Sequence, residues 1–324
     1  MTANPAAFPG LPPLILGANV FGWGADEATS FALLDAAVEQ GLNAIDTADI
    51  YSYWAPGNHG GESETIIGRW LKRRGRRDDV IIHTKGGAPG APDAFADAKA
   101  DASYLPKAVD ASLRRLGIET IDLYYVHYDD KVTPPEETLA VFDTLIRAGK
   151  IRAIGASNYA PDRLAASLDA SDANRLPRFA CLQTGYNLYD RAGYEAELEP
   201  LCADRGLGVM SYYGLAKGFL TGKYRSGADL GKSAARGGAI ESYLTPRGFR
   251  ILGALDRVAE ETGSNPTQVA LAWLIARPSI TAPIASATSL TQLADLPAAC
   301  RLRLDGEAIA QLDAASAESE TAAA

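Results

Sequence analysis

The sequence predicts an α/β fold: one closed (β/α)8 barrel of eight parallel strands, each followed by helix. Short apolar runs of strand length alternate with longer amphipathic stretches of helix length, which is the signature of a parallel sheet. The alternation repeats eight times, and eight strands close such a barrel. The chain has 324 residues and no linker-like stretch divides it, while barrels of roughly 250 residues or more routinely form one domain.

Taken in order, Leu14–Leu16 is the first strand and Ala28–Glu39 its helix, which Gly41 ends. Ala44–Ile45 leads to Ser63–Arg74, and Val80–Ile82 to Leu105–Leu116, which Gly117 stops. Leu123–Val126 leads to Glu136–Ala148, where Pro134 and Pro135 followed by two acids suit a helix start and Gly149 a stop. Ala153–Gly155 precedes Asp162–Leu168, and Ala180–Leu182 precedes Tyr194–Ala203. Leu207–Met210 is followed by Phe249–Glu261 and Thr267–Ala276, and Ala282–Ile284 completes the set. Two connections are long, Gly86–Asp101 after the third strand and Tyr224–Arg247 after the seventh, as expected of lids or binding loops. The expected organisation is a single domain over residues 1–324, with 1–13 and 315–324 as flexible ends.

Charge excludes some functions. With 31 Lys and Arg against 40 Asp and Glu, the net charge is −9. Binding to nucleic acid or to an anionic membrane needs clustered cations, so neither is an expected partner. Cys181, Cys202 and Cys300 are scattered and form no CxxC, as expected of reduced thiols in a cytosol. His59, His83 and His127 make no close pair, so no metal site is expected. No run reaches the ~18 apolar residues of a membrane span, and the start lacks the basic and apolar regions of a signal peptide. The expected location is cytoplasmic.

In such a barrel the chemistry lies at the carboxyl ends of the strands. There the second strand carries Asp46 and Tyr51, the third Lys85, the fourth His127 and Tyr128. The fifth ends in Ser157-Asn158, the sixth in Gln183 and the seventh in Tyr212. Singly, each is as well explained by turn formation, solvation or packing. Their convergence on one rim is not, because packing gives no reason for Asp, Tyr, Lys and His to share a face. A phenol of ordinary pKa ~10 is a poor proton donor near neutrality. A neighbouring ammonium is expected to lower that value, a carboxylate to hold the ammonium, and a histidine to polarise a carbonyl oxygen. Such a set can protonate an oxygen while hydride arrives at carbon.

With these residues in place, the chain resembles the aldo-keto reductase superfamily over nearly its whole length. DTADIY (Asp46–Tyr51), GGESETIIG (Gly60–Gly68), HTK (His83–Lys85), IDLYYVHYDD (Ile121–Asp130), GKIRAIGASNY (Gly149–Tyr159) and GLAKGFLTGKY (Gly214–Tyr224) fall in family order and spacing. The resemblance implies a barrel that binds extended NADPH and reduces aldehydes or ketones. It implies a catalytic tetrad of Asp46, Tyr51, Lys85 and His127, with Tyr51 as proton donor. Ser157, Asn158 and Gln183 would surround the nicotinamide carboxamide, and Tyr212 would stack on its ring. Leu215, Lys217, Gly218 and Gly222 would follow the pyrophosphate, and Thr288, Gln292 and Asp295 the adenosine. Ser286, Thr288 and Leu296 depart from the common Gly, basic or Ser, and Asn. These departures weaken 2′-phosphate recognition and leave NADH as the alternative, with Lys217, Lys223, Arg225 and Arg236 available to compensate. Trp23, Trp54, Tyr128 and the Gly86–Asp101 loop would bound the substrate pocket.

Three other features of the sequence bear on function. Tyr213 and Lys217 spell YxxxK, but the glycine-rich turn of a short-chain dehydrogenase is missing after the first strand. Lys85 could be the nucleophile of a Schiff-base aldolase, a chemistry that does not require Asp46 and Tyr51. Some superfamily members are instead nucleotide-sensing subunits of potassium channels, which makes a non-catalytic role the alternative function.

Overall fold

Side-chain alternation along short strands determines the architecture. In the segment Ile121–Val126, Leu123 and Tyr125 fill the interior of a barrel, while Tyr124 and Val126 turn outward to the helices. The computed structural model describes residues 10–88, 98–232 and 237–318. Its strands are β1 (Ile15–Gly17), β2 (Ala44–Asp46), β3 (Ile81–Gly86), β4 (Ile121–Val126), β5 (Ile151–Ser157), β6 (Cys181–Gly185), β7 (Gly208–Tyr212) and β8 (Ala282–Ala285). They pair in parallel in chain order, and β8 returns to β1 to close the ring.

The helices are α1 (Glu27–Glu39), α2 (Glu62–Arg74), α3 (Leu105–Leu116), α4 (Pro135–Arg147), α5 (Pro161–Asn174), α6 (Glu199–Asp204), α7 (Gly237–Ile240), α8 (Pro246–Thr262), α9 (Pro266–Ala276), α10 (Leu290–Arg301) and α11 (Gly306–Ser316). Several start on a side-chain cap. Asp26 accepts from the Thr29 N–H, Thr245 from Gly248, Asn265 from Gln268 and Asp305 from Ala308.

The eight-strand closure agrees with the expectation, while several details differ. The expected helix over Tyr194–Ala203 is a π turn, Tyr194–Leu198, leading into the short α6. Pro200 cannot donate to the helical ladder, and a wider turn ahead of it accommodates the loss. Helices α10 and α11 are additions to the expected set. Helix α11 runs past residue 315, because Arg191 donates to Asp313 and to the buried Ser316 hydroxyl. Arg247 holds the Ser316 carbonyl from α8. The long connection after β7 is folded into short turns at Ala216–Thr221, Gly227–Lys232 and Glu241–Tyr243, with α7 between the last two. Residues 89–97 of the loop after β3, and Arg236, lie outside the described residues. Cys181 and Cys202 are buried and free, whereas Cys300 is half-buried.

Two apolar layers result. The barrel interior holds Ile15, Ala44, Leu123, Tyr125, Cys181, Met210, Ala282 and Ile284, and a larger layer lies between strands and helices. One close approach ties α2 to α3: a Cβ on Gly68 would lie 2.1 Å from the Arg115 carbonyl oxygen. Gly68→Ala is therefore expected to lower stability by about 1–3 kcal/mol, the usual range for overpacking. Urea denaturation checks this, and an unchanged midpoint would contradict the close packing.

Candidate active site

The inward positions at the carboxyl ends of three strands are polar rather than apolar. Asp46 on β2, Lys85 on β3 and Gln183 on β6 are all buried, one turn of the pleat above interior residues such as Ala44, His83 and Cys181. The Lys85 ammonium donates to Asp46 Oδ1 at 2.5 Å, to the Thr47 carbonyl at 2.7 Å and to the Tyr51 hydroxyl oxygen at 3.3 Å. An ammonium has three protons, and all three are committed. Tyr51 therefore accepts from Lys85, and its own O–H is left for another acceptor. Gln183 Nε2 donates to the second Asp46 oxygen at 2.8 Å, so both carboxylate oxygens are engaged.

The electrostatics differ from the sequence expectation at one point. Burial, and then the Asp46 anion, push the Tyr51 phenol well above its ordinary range despite the adjacent ammonium. Tyr51 thus stays protonated across the neutral range. Burial also raises Asp46, against the opposing pull of Lys85. His127 is held well below its ordinary value, first by burial and then by Lys85, and it is a neutral imidazole at neutral pH. Its ring lies 6.1 Å from that of Tyr51 and stacks on Tyr128 at 5.1 Å.

Aromatic rings surround the phenol. Trp54 meets Tyr51 at 5.6 Å, Trp23 at 5.7 Å and Tyr53 at 5.5 Å, all edge to face. Trp54, Tyr128 and Tyr213 are exposed, so this wall opens to solvent. The sequence points to Tyr53 nowhere and to Tyr213 only through the YxxxK pattern set aside above, and proximity alone brings both to this wall.

The residues expected to hold a nicotinamide gather next to this set. Asn158 follows β5 in the left-handed region (φ 57°), a conformation that asparagine tolerates well. Its amide donates to the His127 carbonyl at 2.9 Å and to Ser157 Oγ at 3.1 Å, and its carbonyl accepts from the Tyr212 hydroxyl at 2.6 Å. The Asn158 N–H also donates to the Gln183 carbonyl at 3.1 Å, so Ser157, Asn158, Gln183 and Tyr212 are hydrogen-bonded to one another, to Asp46 and to the backbone of His127. Leu215, Lys217, Gly218 and Gly222 lie on the turn after β7, with Lys217 and Gly218 both at positive φ and the Lys217 ammonium 5.6 Å from the Tyr213 ring. Thr288 and Gln292 sit apart at the start of α10, where the Thr288 N–H and hydroxyl both donate to Gln292 Oε1. Asp295 accepts from Asn265 at 2.7 Å and Gln268 at 2.8 Å.

Comparison with known proteins gives a consistent result. A model described as the aldo/keto reductase family matches residues 13–317. The chain is 34% identical to an uncharacterized oxidoreductase of Bacillus subtilis, YrpG, over 93% of its own length and 90% of that protein's. It is 30% identical to an L-glyceraldehyde 3-phosphate reductase of Escherichia coli, over 96% and 90% of the two chains. It is also 30% identical to an Arabidopsis thaliana protein named as a probable voltage-gated potassium channel subunit beta, over 84% and 82%.

Proposed function

The chain belongs to the aldo/keto reductase family, and on that premise we propose that it reduces aldehydes or ketones to alcohols with a nicotinamide cofactor. The observation that carries the proposal is the committed ammonium of Lys85, which leaves the Tyr51 O–H as the free donor of the cluster. Bound nicotinamide would supply hydride to the carbonyl carbon. Tyr51 would give its proton to the developing alkoxide, and Lys85 would stabilise the phenolate that remains. The neutral His127 would orient the carbonyl oxygen. Asp46 would hold Lys85 charged in a buried site.

The donor set fits the cofactor. Amides from Asn158 and Gln183 and the hydroxyl of Ser157 suit a carboxamide, Tyr212 offers a ring, and Lys217 with two glycines suits a pyrophosphate. Trp23, Trp54 and Tyr128 would form an aromatic substrate wall.

The test is a steady-state comparison of NADPH and NADH across aldehydes, ketones and sugars. Failure to oxidise either cofactor with any of them would overturn the proposal. NADPH is the expected cofactor, with NADH as the alternative, because Thr288 offers no charge to a 2′-phosphate. Thr288→Arg is expected to favour NADPH over NADH by about tenfold in binding, the size of one added charge-assisted hydrogen bond. Fluorescence titration of both cofactors would check it, and an unchanged ratio would remove Thr288 from the adenosine site.

The relative named as a channel subunit favours a second reading, a non-catalytic nucleotide-sensing subunit. Co-purification with a membrane channel, without turnover, would select it.

A further inference from the structure

A second buried cluster lies against the outer side of the β3 end, and the proposed reaction makes no use of it. Asp49 and Glu64 are both buried carboxyls, and Arg115 is the cation beside them. Glu64 accepts from Arg115 Nε at 2.6 Å and from the Thr84 hydroxyl at 2.6 Å, and Thr84 directly precedes Lys85. Asp49 stands two residues before Tyr51. Its N–H donates to the Lys85 carbonyl at 3.0 Å, its Oδ2 accepts from the Tyr104 hydroxyl at 3.3 Å, and its buried Oδ1 has no hydrogen-bond partner among the described residues. The Tyr124 hydroxyl is buried and, among the described residues, likewise unpartnered. Both crowd Gly86, where a Cβ would lie 2.1 Å from the Tyr124 hydroxyl and 3.1 Å from Asp49 Oδ2.

Two buried acids facing one guanidinium cannot both be compensated as anions. Glu64 holds the direct bond to Arg115, so Asp49 is the acid left to keep its proton. We propose that Asp49 is a positioning residue for the Tyr51 and Lys85 pair: as a neutral acid it lets the loop after β2 close on the end of β3, and its ionisation pushes the two apart. The inference rests on the proposed reduction for its catalytic consequence alone.

Burial, and then the charge of Glu64, push Asp49 up to about 8. Among the described residues, the groups facing it are Glu64 from α2, Arg115 and Tyr104 from α3 and its approach, Tyr124 from β4, and Tyr51 along its own loop. The three phenols are all raised and remain neutral, and Arg115 is raised and remains charged. The folded value of Asp49 lies above the unfolded one. The stability tied to its proton is therefore complete below the ordinary carboxylate range, and is lost as pH rises through about 8.

The experiment follows the protein from pH 6.5 to 9.5 by infrared spectroscopy, by hydrogen exchange at the Asp49 amide and by kcat/KM on a generic aldehyde. Wild type should show a protonated-carboxyl band at pH 7 that fades near pH 8 and is missing from Asp49→Asn. Protection of the Asp49 amide should fall with the band in wild type and persist in Asp49→Asn. Activity one pH unit above 8 should be lower by about tenfold, following the remaining neutral fraction, and Asp49→Asn should show no such fall. Should Asp49→Asn not fold, Glu64→Gln replaces it: loss of the neighbouring charge should move the band's midpoint to lower pH. A wild type without the band, the same alkaline loss of protection in Asp49→Asn, or an unmoved midpoint in Glu64→Gln would each overturn the inference. An enzyme that turns over no carbonyl but shows the band and the amide transition would instead refute the proposed reduction, since neither signal requires turnover.

Discussion

Tyr51→Phe is expected to lower kcat by about 10²–10⁴-fold, the range that general acid catalysis contributes, while cofactor still quenches tryptophan fluorescence on binding. The substitution removes one hydroxyl and keeps the ring against Trp54 and His127. Among the described residues the hydroxyl makes only the 3.3 Å contact from Lys85, so the melting temperature should change little. Turnover close to wild type would remove Tyr51 as the proton donor. Because burial raises the phenol, the wild-type rate should also show no alkaline limb from Tyr51 itself below its ordinary range.

Lys85→Met should have the larger combined effect, losing both turnover and stability. Lys85 and Asp46 are fully buried against one another, and stripping the cation strands a carboxylate in the barrel. Breaking a buried pair from one side typically costs about 3–5 kcal/mol. Asp46 already titrates above the ordinary carboxylate range with Lys85 present, and the lowering pull of Lys85 would be gone. The sign follows: a raised folded value makes stability fall as pH rises through it, so Lys85→Met should be most stable in acid. Adding Asp46→Asn should restore much of the stability and none of the turnover. Urea midpoints of the two variants between pH 5 and 8 would measure this, and a single variant as stable as wild type at pH 8 would contradict the buried charge pair.

The proposed tetrad was legible in the sequence because each member stands at or shortly past the end of a short strand, and eight such strands imply one rim. The hydrogen-bond assignment was not legible. Nothing in the order Asp46, Tyr51, Lys85, Gln183 says that Gln183 completes the Asp46 carboxylate, or that the Thr47 carbonyl takes the third lysine proton. The phenol illustrates the same limit. An ammonium beside a tyrosine suggests a lowered pKa, but the folded chain also buries the ring and brings the Asp46 anion near, and these dominate. Asp49 and Glu64 stood within quoted motifs, yet their shared shortage of positive charge appears only when α2, α3 and β3 meet.

By itself the sequence determined the class of fold, the order of its strands and which residues stand at their carboxyl ends. Those properties follow from periodicity and from the handedness of strand–helix–strand units, which are local and nearly the same in every chain of this pattern. The tertiary structure alone decided which buried acid is bonded to Arg115, where the three protons of Lys85 go, and that the Tyr51 O–H is left over within that cluster. Those depend on desolvation and on distances of a few ångströms between residues up to 137 positions apart, as Asp46 and Gln183 are.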